Sequence, residues 1–158
     1  MRDIVQGLNF HYGRARVAYV TFASTAQVQF YLDTYTAALD VLNAISIDDV
    51  QSGTDYAAAF DVVRTSVIGG AGNRIGVNDV VIFLSDGKPT LDNDLTSESA
   101  SQIRNMGVKI YAVSIGPSVQ QDVMNGVASA PSTMFTISVP TSDDVDAAAS
   151  GLLDKLCQ

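Results

Sequence analysis

One carboxylate lies where a sheet could present a metal ligand or a catalytic acid. Asp86 follows the run of residues 79–84 and Ser85, and Gly87 comes directly after it. A continuous apolar run of this length predicts a strand buried on both faces. In doubly wound folds, ligands bind at the carboxyl ends of such strands. A polar cap between strand and turn is the alternative interpretation, and the spacing alone leaves both open.

A second candidate lies in residues 52–55, where Gly53 allows a tight turn and Thr54 opens an amphipathic segment. Taken alone, Thr54 is best explained as a helix N-cap. Its hydroxyl would nevertheless lie near Asp86 if both loops end at the same edge of a sheet. Four apolar residues recur at helical spacing after it, and a glycine pair ends the pattern: Tyr56, Phe60, Val63 and Val67, then Gly69 and Gly70.

Other groups give weaker signals. His11 is the only histidine, and its position between a helix and a strand favours a surface loop residue over a catalytic base. Residues 92–94 (DND) lack the glycine and the distant glutamate of an EF-hand, which favours a solvated loop over a calcium site. The sequence contains no Gly-x-Ser-x-Gly nucleophile motif and no phosphate loop. An enzyme therefore has little support.

Strands and helices alternate between these candidates. We predict strands at 15–23, 27–31, 79–84, 108–115 and 134–139, and helices at 35–44, 54–68, 95–106, 118–128 and 141–156. The helix at 35–44 should pack through Leu39, Leu42 and Ile45, and Ser118 and Thr141 should open capping boxes with Gln121 and Asp144. The predicted fold class is α/β: a doubly wound, mainly parallel sheet with one antiparallel edge hairpin strand and helices on both faces.

Composition narrows the classes of partner. Seventeen acidic and nine basic residues give a formal net charge of −8, and the basic residues are scattered. A phosphate backbone would be repelled, so we expect no nucleic acid binding. The chain has no run of eighteen apolar residues, so we also expect no membrane span. An apolar fraction of 47% over 158 residues is typical of a single folded domain.

Four segments together resemble successive landmarks of the von Willebrand factor A family. They are residues 16–23 (RVAYVTFA), 52–59 (SGTDYAAA), 81–89 (VIFLSDGKP) and 107–116 (GVKIYAVSIG). Their order and spacing match the family, and the resemblance extends from residue 1 to about residue 156. It implies the doubly wound fold predicted above and a non-enzymatic adhesion module, similar to an integrin I domain.

The resemblance also implies a metal-ion-dependent adhesion site. In the family the ligands of Mg2+ or Mn2+ come from an Asp-x-Ser-x-Ser loop, a threonine and an aspartate, and Thr54 and Asp86 fall on the last two positions. Hard cations of this kind prefer oxygen ligands. The Asp-x-Ser-x-Ser motif occurs nowhere in this sequence, so the resemblance implies a depleted site that binds its cation weakly. The implied partner is a protein ligand such as collagen or another matrix protein.

The family pattern also places residue 1 inside a helix, after a first strand that this sequence lacks. That strand belongs in the middle of the sheet, between the strands at 15–23 and 79–84. Its absence would leave two rows of unpaired backbone groups. We therefore expect a single domain over residues 1–158 that lacks its N-terminal strand and is not the whole folding unit. Either residues upstream of residue 1 or another segment would fill the central position.

Cys157 is the only cysteine, and from the sequence alone it is either an unpaired thiol or the partner of a cysteine outside this segment. Extracellular members of the family often join their termini by a disulfide, and Cys157 fits the second position of that bond. The resemblance thus implies an extracellular protein, secreted or at the cell surface. Two functions remain open beside the disfavoured enzyme: cation-dependent adhesion, and a metal-independent structural module in matrix assembly.

Overall fold

A computed structural model describes residues 2–46 and 52–156. The helices are α1 (Arg2–Gly7), α2 (Ala38–Ala44), α3 (Tyr56–Val62), α4 (Asn93–Asn105), α5 (Gln121–Val127), α6 (Ser132–Phe135) and α7 (Val145–Leu156), and the strands are β1 (Tyr19–Phe22), β2 (Ala26–Phe30), β3 (Val80–Ser85), β4 (Lys109–Ile115) and β5 (Thr136–Val139). Short 3-10 turns at His11–Gly13 and Ser142–Asp144 precede β1 and α7, and a π-helical turn at Val63–Val67 extends α3.

A three-stranded parallel sheet, in the order β3-β4-β5, forms the larger part of the core. In β4, four consecutive residues from Ile110 to Val113 are at most 5% exposed. Because successive strand residues point to opposite faces, both faces of this sheet are covered. The α/β class with helices on both faces is confirmed.

Two neighbouring residues of β3 show which helices cover which face. The centroid of the Phe83 ring lies 4.8 Å from the ring centroids of both Tyr56 and Phe60 in α3. Leu84, which points the other way, lines a small cavity with Ile4 of α1 and Leu152 of α7. Helix α3 therefore packs on one face of the sheet, and α1 and α7 pack on the other.

The predicted hairpin is confirmed as a separate antiparallel pair of β1 and β2. In β2, Gln27 and Gln29 are exposed while Phe30 is buried, which is the alternation of an edge strand with one covered face. Strand β1 is shorter than the predicted span of 15–23, and its register shifts between Tyr19 and Val20.

The two sheets are not hydrogen-bonded to each other within the described residues. Between β1 and β3 lies a cavity of about 980 Å³, which we call the slot. The slot lies where the sequence analysis places the family's first strand, and the absence of that strand stays a prediction. The prediction that β3 is buried along its length is wrong at its start, where Val80 is 40% exposed.

Three local predictions are also wrong. Leu39 does not pack against the core but is 65% exposed, and Val41 is the residue that α2 buries completely. Ser118 opens no capping box, because α5 begins at Gln121 after an N-cap residue without a side-chain hydrogen bond. Met134 belongs to the short helix α6 and not to a strand, since β5 begins only at Thr136.

Other local predictions are confirmed. The Asp144 carboxylate accepts hydrogen bonds from the backbone N–H and the hydroxyl of Thr141, at 3.1 and 2.7 Å, ahead of α7. Gly107 ends α4 with a φ of 85°. Cys157 lies outside the described residues, as does Met1. No helix in the described ranges has the length and apolarity to cross a membrane.

Candidate functional site

Thr54 lies in a loop whose backbone is bound to the loop after β3. Its N–H donates to the hydroxyl of Thr90 at 2.8 Å, and its carbonyl accepts from the N–H groups of Thr90 and Leu91 at 2.8 and 3.2 Å. Gly53 precedes it with a φ of 98°, and a Cβ at that position would lie 3.3 Å from Ser24. The close approach and the positive φ both explain why glycine stands here.

The N-cap of α3 is Asp55 and not Thr54. The Asp55 carboxylate accepts from the N–H of Ala58 at 2.9 Å, and its own N–H donates to the carbonyl of Ala23 at 2.7 Å. The explanation of Thr54 as a plain N-cap is therefore wrong. Among residues 2–46 and 52–156, none is hydrogen-bonded to the half-buried Thr54 hydroxyl, which leaves its oxygen available to a ligand.

Asp86 is exposed directly after β3, and the residues on either side of it are hydrogen-bonded to the side chain of Tyr56. The hydroxyl of Tyr56, whose side chain is fully buried, lies 2.7 Å from the carbonyl of Gly87 and 2.5 Å from the hydroxyl of Ser85. A carbonyl can only accept, so the single Tyr56 proton is donated to Gly87 and Ser85 donates to Tyr56. This phenol therefore fixes both flanks of Asp86.

The pKa of Tyr56 reflects this position. Burial raises the pKa above its ordinary value, because the charged phenolate loses its water. The hydrogen bond with Ser85 acts in the opposite direction, and the negative charge of Asp86 raises the pKa further. Tyr56 is thus a neutral structural donor near neutral pH.

The two candidate loops form one surface, which we call the upper face: residues 52–55 and 85–91. A parallel bridge pairs Asp55 with Leu91, and Thr54 and Asp86 both line the carboxyl-end mouth of the slot. The two residues that the sequence singled out therefore line the same cavity. The importance of the Tyr56 hydroxyl was missed, although a tyrosine in a buried apolar stripe signals a hydroxyl that needs a partner.

The donor types at the upper face suit a hard cation, but their number is small. Thr54 offers a neutral hydroxyl and Asp86 a carboxylate, both oxygen donors of the kind that Mg2+ and Mn2+ prefer. Within the part of the chain that the structure describes, no three His, Cys, Asp or Glu side chains converge on one point. A cation here would keep several waters.

The remaining candidates lie apart from the upper face or stay exposed. His11 is exposed in the 3-10 turn before β1, at the opposite end of that strand from Ala23. Asp92, Asn93 and Asp94 are all exposed at the start of α4, and Asp92 has a φ of 42°. His11 and Asp92 are solvent-exposed as the sequence favours, whereas Asn93 and Asp94 lie in the exposed first turn of α4, which begins two residues before its predicted start.

Comparison with known proteins gives relatives over nearly the whole chain. The sequence is 31% identical over 147 residues to matrilin-3 of Gallus gallus, covering 90% of this chain and 32% of matrilin-3. It is 26% identical over 159 residues to the collagen alpha-4(VI) chain of Mus musculus, covering 97% of this chain and 7% of the collagen chain. The chain therefore spans a third or less of the length of these relatives.

Solved structures share the fold. Proximal thread matrix protein 1 from the mussel byssus superposes with a TM-score of 0.86 at 25% identity, covering 99% of this chain and 39% of that one. That structure is described with a zinc-occupied metal-ion-dependent adhesion site (MIDAS) motif. The manganese-loaded TRAP protein of Plasmodium vivax has a TM-score of 0.76 at 16% identity, covering 93% and 61%. A family profile, the von Willebrand factor type A domain, matches residues 1–150. This chain belongs to the von Willebrand factor type A domain family.

Proposed function

We propose that this chain is an extracellular protein-binding module whose upper face binds a protein ligand through a divalent cation. Thr54 and Asp86 are the two cation ligands that the chain supplies. The observation that carries the proposal is that Thr54 and Asp55 have different roles. Because Asp55 caps α3, the Thr54 hydroxyl stays available, and the backbone of Thr54 is hydrogen-bonded to the loop that follows the exposed Asp86.

The chemistry of such a site favours an acidic partner group. One carboxylate and one neutral hydroxyl leave Mg2+ or Mn2+ with much of its positive charge, and water fills the remaining positions. A carboxylate from a protein ligand can replace one of these waters and form an ionic bridge to the upper face. With two ligands from the chain and no Asp-x-Ser-x-Ser loop in the sequence, the cation affinity should be low.

Relatives support the proposed location and the class of partner. Matrilins, a type VI collagen chain and a byssal thread matrix protein all contain segments similar to this one. We therefore infer an extracellular protein whose partner is collagen or another matrix protein. None of these names indicates an enzyme, and we propose no catalytic role for Asp86.

A metal-independent structural module in matrix assembly is the second candidate. The observation that favours it is the small number of cation donors at the upper face. In that case self-association or matrix binding would persist unchanged in a chelator, and the upper face would bind through its loops alone.

Adhesion to a collagen-coated surface in Mg2+ or in EDTA separates these candidates. We expect binding in Mg2+ that EDTA abolishes and that Asp86→Ala weakens by about tenfold or more. Asp154→Ala is the matched control, because it removes an exposed carboxylate from the last turn of α7, away from the upper face. Adhesion that is equal in EDTA and in both variants would support the structural module and contradict cation-dependent binding.

A further inference from the structure

A basic corner with an exposed methionine lies at the amino ends of β4 and β5. Met134 in the short helix α6 is 58% exposed, and the Lys155 ammonium group of α7 donates to its carbonyl at 2.7 Å. The next residue, Phe135, is buried, and its ring centroid lies 4.8 Å from that of Tyr111 and 6.0 Å from the ammonium nitrogen of Lys109. We call Lys109, Met134 and Lys155 the lower corner.

The two lysines of the lower corner are exposed and are not paired with a carboxylate. In the part of the chain that the structure describes, the only ion pair joins Arg64 to Asp61 at 3.3 Å, although the sequence has seventeen acidic residues. Even Asp154, the neighbour of Lys155 in the sequence, forms no ion pair with it. An exposed apolar side chain beside two unneutralised ammonium groups suits a partner surface that is both apolar and acidic.

The start of α4 has that composition. Leu95 is 51% exposed, and Leu91, two residues before the helix, is 42% exposed. Asp94 and Glu98 are also exposed, and they lie one helical turn apart beside Leu95. The opposite side of α4 is the buried one, with Thr96, Ser99, Ala100 and Ile103. We call Asp94, Leu95 and Glu98 the acidic stripe.

The acidic stripe and the lower corner lie at opposite ends of the parallel sheet. Helix α4 begins after the loop at 86–92, which follows the carboxyl end of β3, whereas Lys109 is the first residue of β4. Strands β3 and β4 are parallel, and α4, with thirteen residues, is about 20 Å long. The stripe therefore cannot reach the lower corner of its own chain, but it can reach that of another copy.

We propose that the lower corner of one copy of this chain binds the acidic stripe of a second copy, with Met134 against Leu95 and the two lysines facing the two carboxylates. The two surfaces differ, so the contact is heterologous and joins copies head to tail into an open chain. It uses no cation ligand of the upper face and is therefore independent of the cation-dependent function proposed above. It gives the metal-independent structural module a specific contact surface.

Sedimentation velocity of the parent chain in EDTA is the first test. The two surfaces are small, well below the roughly 1,200 Å² of a stable interface, so we expect weak self-association. The average sedimentation coefficient should rise with concentration up to about 1 mM of chain in about 20 mM salt, and association should be about tenfold weaker in about 0.5 M salt because salt screens the exposed charges. A coefficient that does not rise with concentration would overturn the proposal.

Two double variants each remove one surface. Lys109→Gln with Lys155→Gln neutralises the lower corner and should weaken association about fivefold or more. Asp94→Lys with Glu98→Lys reverses the acidic stripe and should weaken it about tenfold or more. The second variant has a net charge of −4 in place of −8, since each reversal adds two charges. General repulsion between copies therefore falls in this variant, so its loss of association would be specific to the stripe.

Asp3→Lys with Asp40→Lys is the matched control for the reversed stripe. It makes the same change in net charge at two exposed residues, in α1 and α2. We expect this control to associate at least as strongly as the parent chain. Equal association of the parent chain and all three variants, or equal loss in the control and the stripe variant, would contradict the proposed contact.

An equimolar mixture of the corner variant and the stripe variant tests the pairing itself. Each variant retains the surface that the other has lost, so the mixture should form a one-to-one complex with the affinity of the parent contact and no larger species. Formation of that complex also shows that both variants are folded. If both variants keep the melting temperature of the parent chain but form no complex when mixed, the lower corner and the acidic stripe do not bind each other.

Discussion

The parallel sheet and the hairpin differ in how completely each is covered. In the parallel sheet, β4 is buried along Ile110–Val113 and is joined to β3 and β5 on its two sides. In the hairpin, β2 exposes Gln27 and Gln29, and its small core consists of Val5, Tyr19, Phe30 and Val41. The slot separates these two regions.

This difference bears on where stability lies and on what positions the upper face. The parallel sheet should supply most of the free energy of unfolding, because the larger cluster of buried residues surrounds it. The upper face lies where the two regions meet, since Ala23 follows β1, Asp86 follows β3, and residues 54–55 connect to both through backbone hydrogen bonds. Its geometry therefore depends on both regions.

The largest expected effect compares the two cores directly. Ile110→Ala removes a fully buried side chain from β4 and should lower the free energy of unfolding by about 3 to 4 kcal/mol. Val28→Ala in β2 removes a half-buried side chain and should cost about 1 kcal/mol. Urea unfolding of both variants measures the difference. Equal losses would contradict the unequal division of stability.

The next effect concerns the support of the upper face. Tyr56→Phe removes the hydroxyl that binds Ser85 and Gly87, and should cost about 2 kcal/mol because buried polar groups lose their partner. Tyr31→Phe is the control, since Tyr31 is 39% exposed. Thermal unfolding measures both. A Tyr56→Phe variant as stable as the control would show that this phenol does not hold the Asp86 loop.

A smaller effect distinguishes the roles of two adjacent residues. Asp55→Ala removes the N-cap of α3 and should destabilise the chain by about 1 kcal/mol. Thr54→Val keeps the size and β-branching of the side chain but removes the hydroxyl, and should change stability by less than about 0.5 kcal/mol. The reverse order in denaturant unfolding would mean that Thr54 is the cap and is not free for a ligand.

The smallest effect is a dependence of stability on alkaline pH. The pKa of Tyr56 in the folded chain is raised above the ordinary value of 10.0. The folded state therefore holds the phenolic proton more tightly, and this contribution to stability is complete below pH 10 and is lost as the pH rises through the folded-state pKa. Unfolding free energies at pH 8 to 11 should fall less steeply for Tyr56→Phe than for the parent chain. Identical slopes would exclude this contribution.

Much of the fold could be predicted because hydrophobic periodicity determines it locally. The strand at 108–115 and the helix from residue 54 follow from apolar patterns, and both occur as β4 and α3 with its π-helical turn. The errors occur where tertiary contacts decide. Periodicity placed Leu39 in the core, yet α2 turns Val41 inward instead. Met134 has an apolar side chain suited to a strand, but α6 follows Pro131 and delays β5.

The candidate site could likewise be predicted only in part. Asp86 and Thr54 could be chosen from motif positions, and the structure places both in the lining of one cavity. The cap at Asp55 could not be assigned, because adjacent Thr and Asp residues are both good N-caps and only the backbone geometry separates them. The Tyr56 hydroxyl contacts residues 29 and 31 positions away, which no local pattern reveals.

Direct binding of Mn2+ tests the central claim, that Thr54 and Asp86 at the junction of the two regions bind a divalent cation. Electron paramagnetic resonance of free Mn2+ titrated with the chain should show one weak, saturable site, lost in Asp86→Ala, weakened in Thr54→Val and retained in Asp154→Ala. A site that binds Mn2+ equally well in the parent chain and all three variants, or no saturable binding in any of them, would contradict the account.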